Sequence, residues 1–287
     1  MVVETSSGRE QQERVNARFA SESVYWRERY ERQDVDSVVH QYRQLLALRW
    51  IDDLGLVPGS RVLEVGCGAG GAAVALARRG FEVEATDIVS SMLVLAREES
   101  IAAGVGPKTR FIRGDAHTLG FADRSFDLVI ALGVLPWLHS PPTAAREMVR
   151  VLRVGGYLVL NAGNRQRLTW FLDPRHSAWA GPLRRARARR RRKPWIAPNQ
   201  PRLPNVYFPR ELDRLVADLG LERVRGATFG FGPFTFRDRT VLPNTLGLFL
   251  NRQLQRLADR GVRGLTSTGS QYVVIARKPT GHRHESP

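Results

Sequence analysis

Three carboxylates and a run of glycines hold the densest chemistry in the sequence. Val62-Leu-Glu-Val-Gly-Cys-Gly-Ala-Gly70 sets Glu64 just ahead of Gly66, Gly68 and Gly70. Glycines at this spacing let a turn adopt positive φ and bring backbone close to a bound molecule. Gly66, Gly68 and Gly71 also satisfy G-x-G-x-x-G, the pattern of a dinucleotide-binding turn. Glu64 separates the two readings. A carboxylate beside the turn would repel a pyrophosphate, whereas it suits a ligand that carries positive charge. Asp87 comes about twenty residues later, where an acid is placed to accept hydrogen bonds from ribose hydroxyls. Asp115 follows Gly114 at the end of a further apolar stretch.

These positions need strand ends to hold them. Residues 61–65 read as a short buried strand, 66–71 as the turn, and 72–79 as a helix stopped by Gly80. The alternation continues with a strand at 81–86, a helix at 90–103 and a strand at 110–113. The apolar run 126–132 has the character of a central parallel strand. A helix at 141–152 is closed by Gly155-Gly156, and 157–161 is strand five. Upstream, residues 36–54 space Val39, Tyr42, Leu45, Leu46, Leu48 and Ile51 as an amphipathic helix. Residues 1–20 are polar and expected to fray. Downstream, 209–219 is helical, 221–228 a strand, 246–257 a helix and 271–276 a final strand. Strand and helix alternating through short links predict an α/β fold: a doubly wound, mostly parallel sheet with helices on both faces. Ligands of such sheets sit at the carboxyl ends of the strands.

Taken as a set, the motifs resemble class I S-adenosylmethionine-dependent methyltransferases of the small-molecule type, in particular those of quinone biosynthesis. Glu64-x-Gly66-x-Gly68-x-Gly70 is similar to their first motif. Asp87-Ile88, then Ser90-Ser-Met-Leu93 opening a helix, follows their second strand. Gly114-Asp115-Ala116 ends the third. Phe126-Asp127-Leu-Val-Ile130 looks like the fourth, and Arg150-Val-Leu-Arg-Val-Gly-Gly-Tyr157 precedes the fifth, with Val154 where proline is common. The likeness runs from about residue 36 to 162. It implies a seven-stranded Rossmann-like sheet and S-adenosyl-L-methionine as cofactor. The family's pattern then assigns Glu64, Gly66, Cys67, Gly68, Gly70, Asp87, Ile88, Met92, Asp115, Ala116 and Leu132 to that cofactor. Asp87 would take the ribose, and Asp115 with the Ala116 N–H the adenine. Asp127 reads as a structural turn residue. Tyr25, Trp26 and Tyr30 lie where some relatives close an N-terminal segment over the site.

The acceptor end is less determined by type. Methyl transfer from a sulfonium is an in-line displacement, so alignment and exclusion of water matter most. A hydroxyl acceptor benefits from a general base, for which histidine is suited. His139, in Gly133-Val-Leu-Pro-Trp-Leu-His139, is the first candidate base. It reads equally well as a neighbour of the helix that Pro141 opens. His117 is expected to face solvent, and His176 ranks second. Trp137, Trp170, His176 and Arg189 are the candidate acceptor contacts. The aromatics around them either line a planar pocket or fill the cores of two insertions.

Charge divides the chain. Residues 1–163 carry 19 Lys+Arg against 20 Asp+Glu, whereas 164–287 carry 25 against 8. Eight basic residues fall between Arg184 and Lys193. Such a run either attracts phosphate or an anionic surface, or is a solvated loop. The segments expected are 1–57 as a helical cap, 58–163 as the cofactor core and 164–208 as a basic insertion over the acceptor. Residues 209–278 complete the core, with a second insertion at about 230–264, and 279–287 form a tail. No stretch approaches 18 consecutive apolar residues, and the first residues lack a secretory pattern, so a cytoplasmic enzyme is expected, with peripheral membrane contact. The acceptor is expected to be a small molecule, anionic or lipid-linked, with O-methylation favoured. Two rivals remain. A nicotinamide-dependent oxidoreductase is disfavoured by Glu64 and Asp115. A basic nucleic-acid-binding module lacks a zinc-ligand cluster, and Gly133-Val-Leu-Pro136 stands where amino-directed DNA methylation uses Asn/Asp-Pro-Pro-aromatic.

Overall fold

The computed structural model describes residues 6–173, 181–182, 205–236 and 239–280. Its centre is a sheet of β1 (Arg61–Val65), β2 (Glu82–Asp87), β3 (Thr109–Arg113), β4 (Phe126–Ala131), β5 (Leu152–Asn164), β7 (Glu222–Phe229) and β10 (Gln271–Arg277). The order is β3-β2-β1-β4-β5-β10-β7, with β6 (Val206–Tyr207) pairing alongside the end of β5. Strands β1 to β5 are parallel, and β10 runs antiparallel to both β5 and β7. The chain goes outward from β1 to β2 and β3, then returns past β1 to β4. The switch point where open sheets form their ligand crevice therefore lies between β1 and β4.

Period-two burial in the strands feeds two cores. Val62, Leu128, Ile130, Val159 and Val273 face α3 (Val35–Asp52), α4 (Gly71–Arg78) and α5 (Ser90–Ala102). Leu63, Val129, Ala131, Leu158 and Val274 face α6 (Pro141–Val151) and α8 (Pro209–Asp218). Strands with both faces covered become the near-continuous apolar runs seen in β1 and β4. One difference concerns Gly155-Gly156. They do not end a helix; they lie inside β5, which starts directly after α6 at Leu152, with a register irregularity between its pairs with Phe126 and Leu128.

The N-terminus corrects a second expectation. Residues 6–21 form α1 (Ser6–Ser21), followed by α2 (Ser23–Glu28), instead of a frayed tail. Tertiary contacts hold them: Val15 is buried, and Phe19 packs 5.3 Å from Trp26 and edge-on, 5.2 Å, against Trp137. After β5 come α7 (Leu168–Leu172) and, beyond β7, a small hairpin of β8 (Thr235–Phe236) and β9 (Arg239–Thr240). Then α9 (Asn244–Asp259) packs on α3. His176, Arg189 and the Arg184 to Lys193 run lie outside the described residues.

Candidate active site

The glycine turn is built so that a ligand can approach it. Gly66, Gly68 and Gly70 all have positive φ, and Gly70, at +86°, is the residue from which α4 starts. A Cβ on Gly70 would come within 2.8 Å of the Ala96 Cβ, so the turn and α5 meet only over a glycine. The turn is tied to β2: Gly66 and Cys67 donate to the Thr86 carbonyl at 2.7 and 2.9 Å. Asp87 braces it further, accepting from Gly68 N on Oδ2 and Val89 N on Oδ1, both at 2.9 Å. Burial raises the Asp87 carboxyl, and these backbone donors oppose the rise.

Above this turn lies a cavity of about 660 Å³. Every residue assigned to the cofactor lines it except Gly70, which acts from behind through the backbone. Glu64 is 4% exposed, and its Oε2 has no hydrogen-bond partner among the described residues. Burial pushes its carboxyl up to about 8, against an Ala73 N–H and the Arg43 guanidinium that pull it down. A buried acid with an unpartnered oxygen in a cavity wall fits a cationic ligand. Asp115 sits lower than an ordinary carboxyl because its Oδ1 accepts from both the ring Nδ1 (2.7 Å) and the backbone N (2.9 Å) of His117.

The histidines differ from expectation. His117 is buried, not solvent-facing, because it spends its Nδ1 on Asp115 and stacks on His139 with ring centroids 3.8 Å apart. His139 is held from α1, where Gln12 Oε1 accepts from its backbone N at 3.0 Å and lies 3.3 Å from its Nδ1. Neither ring belongs to the cavity wall. His40 does, and sequence reasoning passed over it. Its Nδ1 lies 2.8 Å from the Asp36 carbonyl, so Nδ1 carries the proton and Nε2 keeps a lone pair. Burial, aided by Arg43 and Arg29, drives its pKa well below the ordinary value, so the ring is neutral.

Arg43, one turn further along α3, was also missed. It is buried, lines the cavity and donates to the Tyr30 hydroxyl at 2.8 Å. The signal was present: His40, Arg43 and Gln44 are polar residues at helical spacing inside an amphipathic helix. Of the acceptor candidates, Trp137 lines the cavity. Trp170 stands behind Arg167, whose guanidinium lies 3.9 Å from its ring centre.

Residues 63–160 match the family described as a methyltransferase domain. The chain is 39% identical over 116 residues to a demethylmenaquinone methyltransferase of Renibacterium salmoninarum, covering 39% of this chain and 46% of that protein. It is 31% identical over 128 residues to a ubiquinone biosynthesis O-methyltransferase of Paracidovorax citrulli, covering 44% and 53%. The chain thus spans about half the length of these curated relatives. Its fold is similar to that of a magnesium protoporphyrin IX methyltransferase from Synechocystis, with a TM-score of 0.60 at 17% identity over 91% of this chain and 97% of that one. The strand ends that carry Glu64, Asp87 and Asp115 all fall within residues 63–160, and that segment is an S-adenosylmethionine-dependent methyltransferase domain.

Proposed function

We propose that this chain methylates a hydroxyl oxygen of a small planar acceptor, with S-adenosylmethionine as donor. The observation that carries the reading is Glu64, a buried carboxyl whose Oε2 is unpartnered in the wall of the cavity. When bound, the cofactor supplies an electrophilic methyl group on a sulfonium. Glu64 answers its positive charge. Asp87 keeps acceptor capacity on both oxygens for ribose hydroxyls. Asp115, through Oδ2, and the Ala116 N–H take the adenine, while Ile88, Met92 and Leu132 supply apolar contact. Arg43, close enough to influence Glu64, takes the cofactor's carboxylate.

Phe19, Trp26 and Trp137 form an aromatic wall that suits a planar acceptor and excludes water. His40 accepts the hydroxyl proton at Nε2, in preference to His139, because His40 lines the cavity and is already neutral. Both relatives are named for quinone biosynthesis, and one of them, the O-methyltransferase of Paracidovorax citrulli, supports oxygen as the methylated atom.

A second reading concerns location. No helix among the described residues is long and apolar enough to cross a membrane. The outer face of α9 nevertheless exposes Leu246, Phe249 and Leu257 among Arg252, Arg256 and Arg260, while the helix buries Gly247, Asn251 and Ala258. Apolar and cationic side chains on one face suit docking on an anionic lipid surface.

The main reading is tested by calorimetry. S-adenosylmethionine and S-adenosylhomocysteine are expected to bind and NAD not to bind. Asp87→Ala is expected to weaken the cofactor by about 1–3 kcal/mol, the cost of leaving polar partners unsatisfied. NAD binding in place of S-adenosylmethionine would reverse the assignment.

A further inference from the structure

Arg167 lines the same cavity, on the side of the switch point away from the glycine turn. It sits between the end of β5 and α7. Its neighbours in the wall are Gly163, Val206 and Gln271, from β5, β6 and β10. Its Nε is buried without a hydrogen-bond partner among the described residues, and Trp170 stacks on its guanidinium. Burial pulls its titration down to about 10, and among the described residues no acid side chain offsets this. A cation taken out of water without a counter-ion is costly, and a fold retains it where a ligand supplies the missing charge.

Of the other arginines of the cavity, Arg27 is exposed to solvent, and Arg29 and Arg43 have partners. Arg29 pairs with Asp36 and donates to the Tyr25 hydroxyl at 2.7 Å. Arg43 bonds Tyr30 and stands at the Glu64 end, where it answers the single carboxylate of the cofactor. Arg167 is therefore left for a second anion, on the acceptor side. Gln271 points to the same sign of charge. Its Oε1 is taken by Asn161 Nδ2 at 2.7 Å, and Asn161 Oδ1 in turn accepts from Gly133 N at 2.7 Å. That chain orients the Gln271 amide so that Nε2 is the group left to donate. Two donor-only groups, Arg167 and Gln271 Nε2, thus share one stretch of wall.

We propose that this stretch is an oxyanion subsite: the acceptor carries a carboxylate or a phosphate ester, held by the Arg167 fork with Gln271 Nε2 as second donor. The Trp170 ring keeps the guanidinium plane fixed, which suits two-point recognition of a planar or tetrahedral oxyanion. This rests on the methyltransferase reading and adds the charge class of its acceptor.

The test is calorimetry on the full chain saturated with S-adenosylhomocysteine, whose own binding checks the underlying reading separately. The probes are 4-hydroxybenzoate, 4-hydroxyphenyl phosphate and the neutral 4-hydroxybenzamide. At least one anion is expected to bind about tenfold or more tighter than the amide, and which one does separates carboxylate from phosphate. Arg167→Gln is expected to erase the preference and Arg167→Lys to keep part of it, with S-adenosylhomocysteine affinity unchanged in both. Gln271→Leu, a milder change, is expected to reduce the preference severalfold. The subsite is overturned if the amide binds as well as the anions, if none of the three probes binds, or if Arg167→Gln keeps the preference.

Discussion

At the residue scale, Glu64 is expected to link cofactor binding to pH. Its folded pKa of about 8 lies above the ordinary value of 4.5, so burial holds it protonated at neutral pH. Between those two pH values the folded chain binds a proton that the unfolded chain does not. Its contribution to stability is therefore fully present below about 4.5 and is lost as pH rises through about 8. A cationic ligand needs the carboxylate, so S-adenosylmethionine binding should expel a proton. Its affinity should rise with pH up to about 8, by at most about tenfold per pH unit. Calorimetry in buffers of different ionisation enthalpy measures that proton, and Glu64→Gln should abolish it; identical proton release in the variant would place the coupled group elsewhere. His40 and His139 form a second pair to separate. His40→Ala should lower kcat by about 10²–10⁴-fold with cofactor affinity nearly unchanged. His139→Ala should act on stability, since its ring packs on His117 and on the α1 glutamine. The opposite pattern in kcat would return the base to His139. Glu64, Asp87 and Asp115 were legible because acids at consecutive strand ends form a recognisable set. His40 left a weaker trace, a polar stripe shared with Arg43 and Gln44, because a polar stripe on an amphipathic helix reads first as its solvent face.

At the element scale, the glycine turn and α5 depend on each other. Gly70→Ala must place a Cβ both at φ +86° and against Ala96. We expect a loss of about 1–3 kcal/mol from the left-handed backbone, and more from the contact. Chemical denaturation measures it, and wild-type stability in this variant would mean that α4 and α5 reposition freely. The strands and helices from β1 to β5 were legible from period and punctuation, because each buries a face set by its own residues. The α1 helix was not legible. Its sequence is polar, and what holds it is distant: Trp137 and His139 from the segment after β4. The boundary at Gly155-Gly156 was misjudged for a related reason. Glycines stop isolated helices, but here β5 already begins at Leu152 and continues through them, pairing with β4 on either side.

At the scale of the whole molecule, the second half carries the positive charge, and α9 displays part of it. If α9 docks on anionic lipid, the protein should sediment with vesicles containing phosphatidylglycerol and not with pure phosphatidylcholine. The binding should fade with salt as the screening length falls below about 8 Å. Phe249→Asp and Arg256→Glu should each weaken it, with cofactor affinity retained. Equal sedimentation of both variants with the wild type would remove α9 from the surface.

The sequence by itself determined the alternation of strands and helices from β1 to β5, the glycine turn and the three acids at its rim. Those features are local: each depends on a residue type at a short, repeated spacing. Tertiary structure alone decided which polar groups meet across the cavity. Arg43 and His40 come from α3, Glu64 from β1, Arg167 from the end of β5, and Gln271 from β10, which inserts between β5 and β7. A half-buried charge without a partner among the described residues exists only in three dimensions, because burial and partners are properties of neighbours distant in the chain. No spacing in the sequence could therefore have marked Arg167 as the cation without an anion.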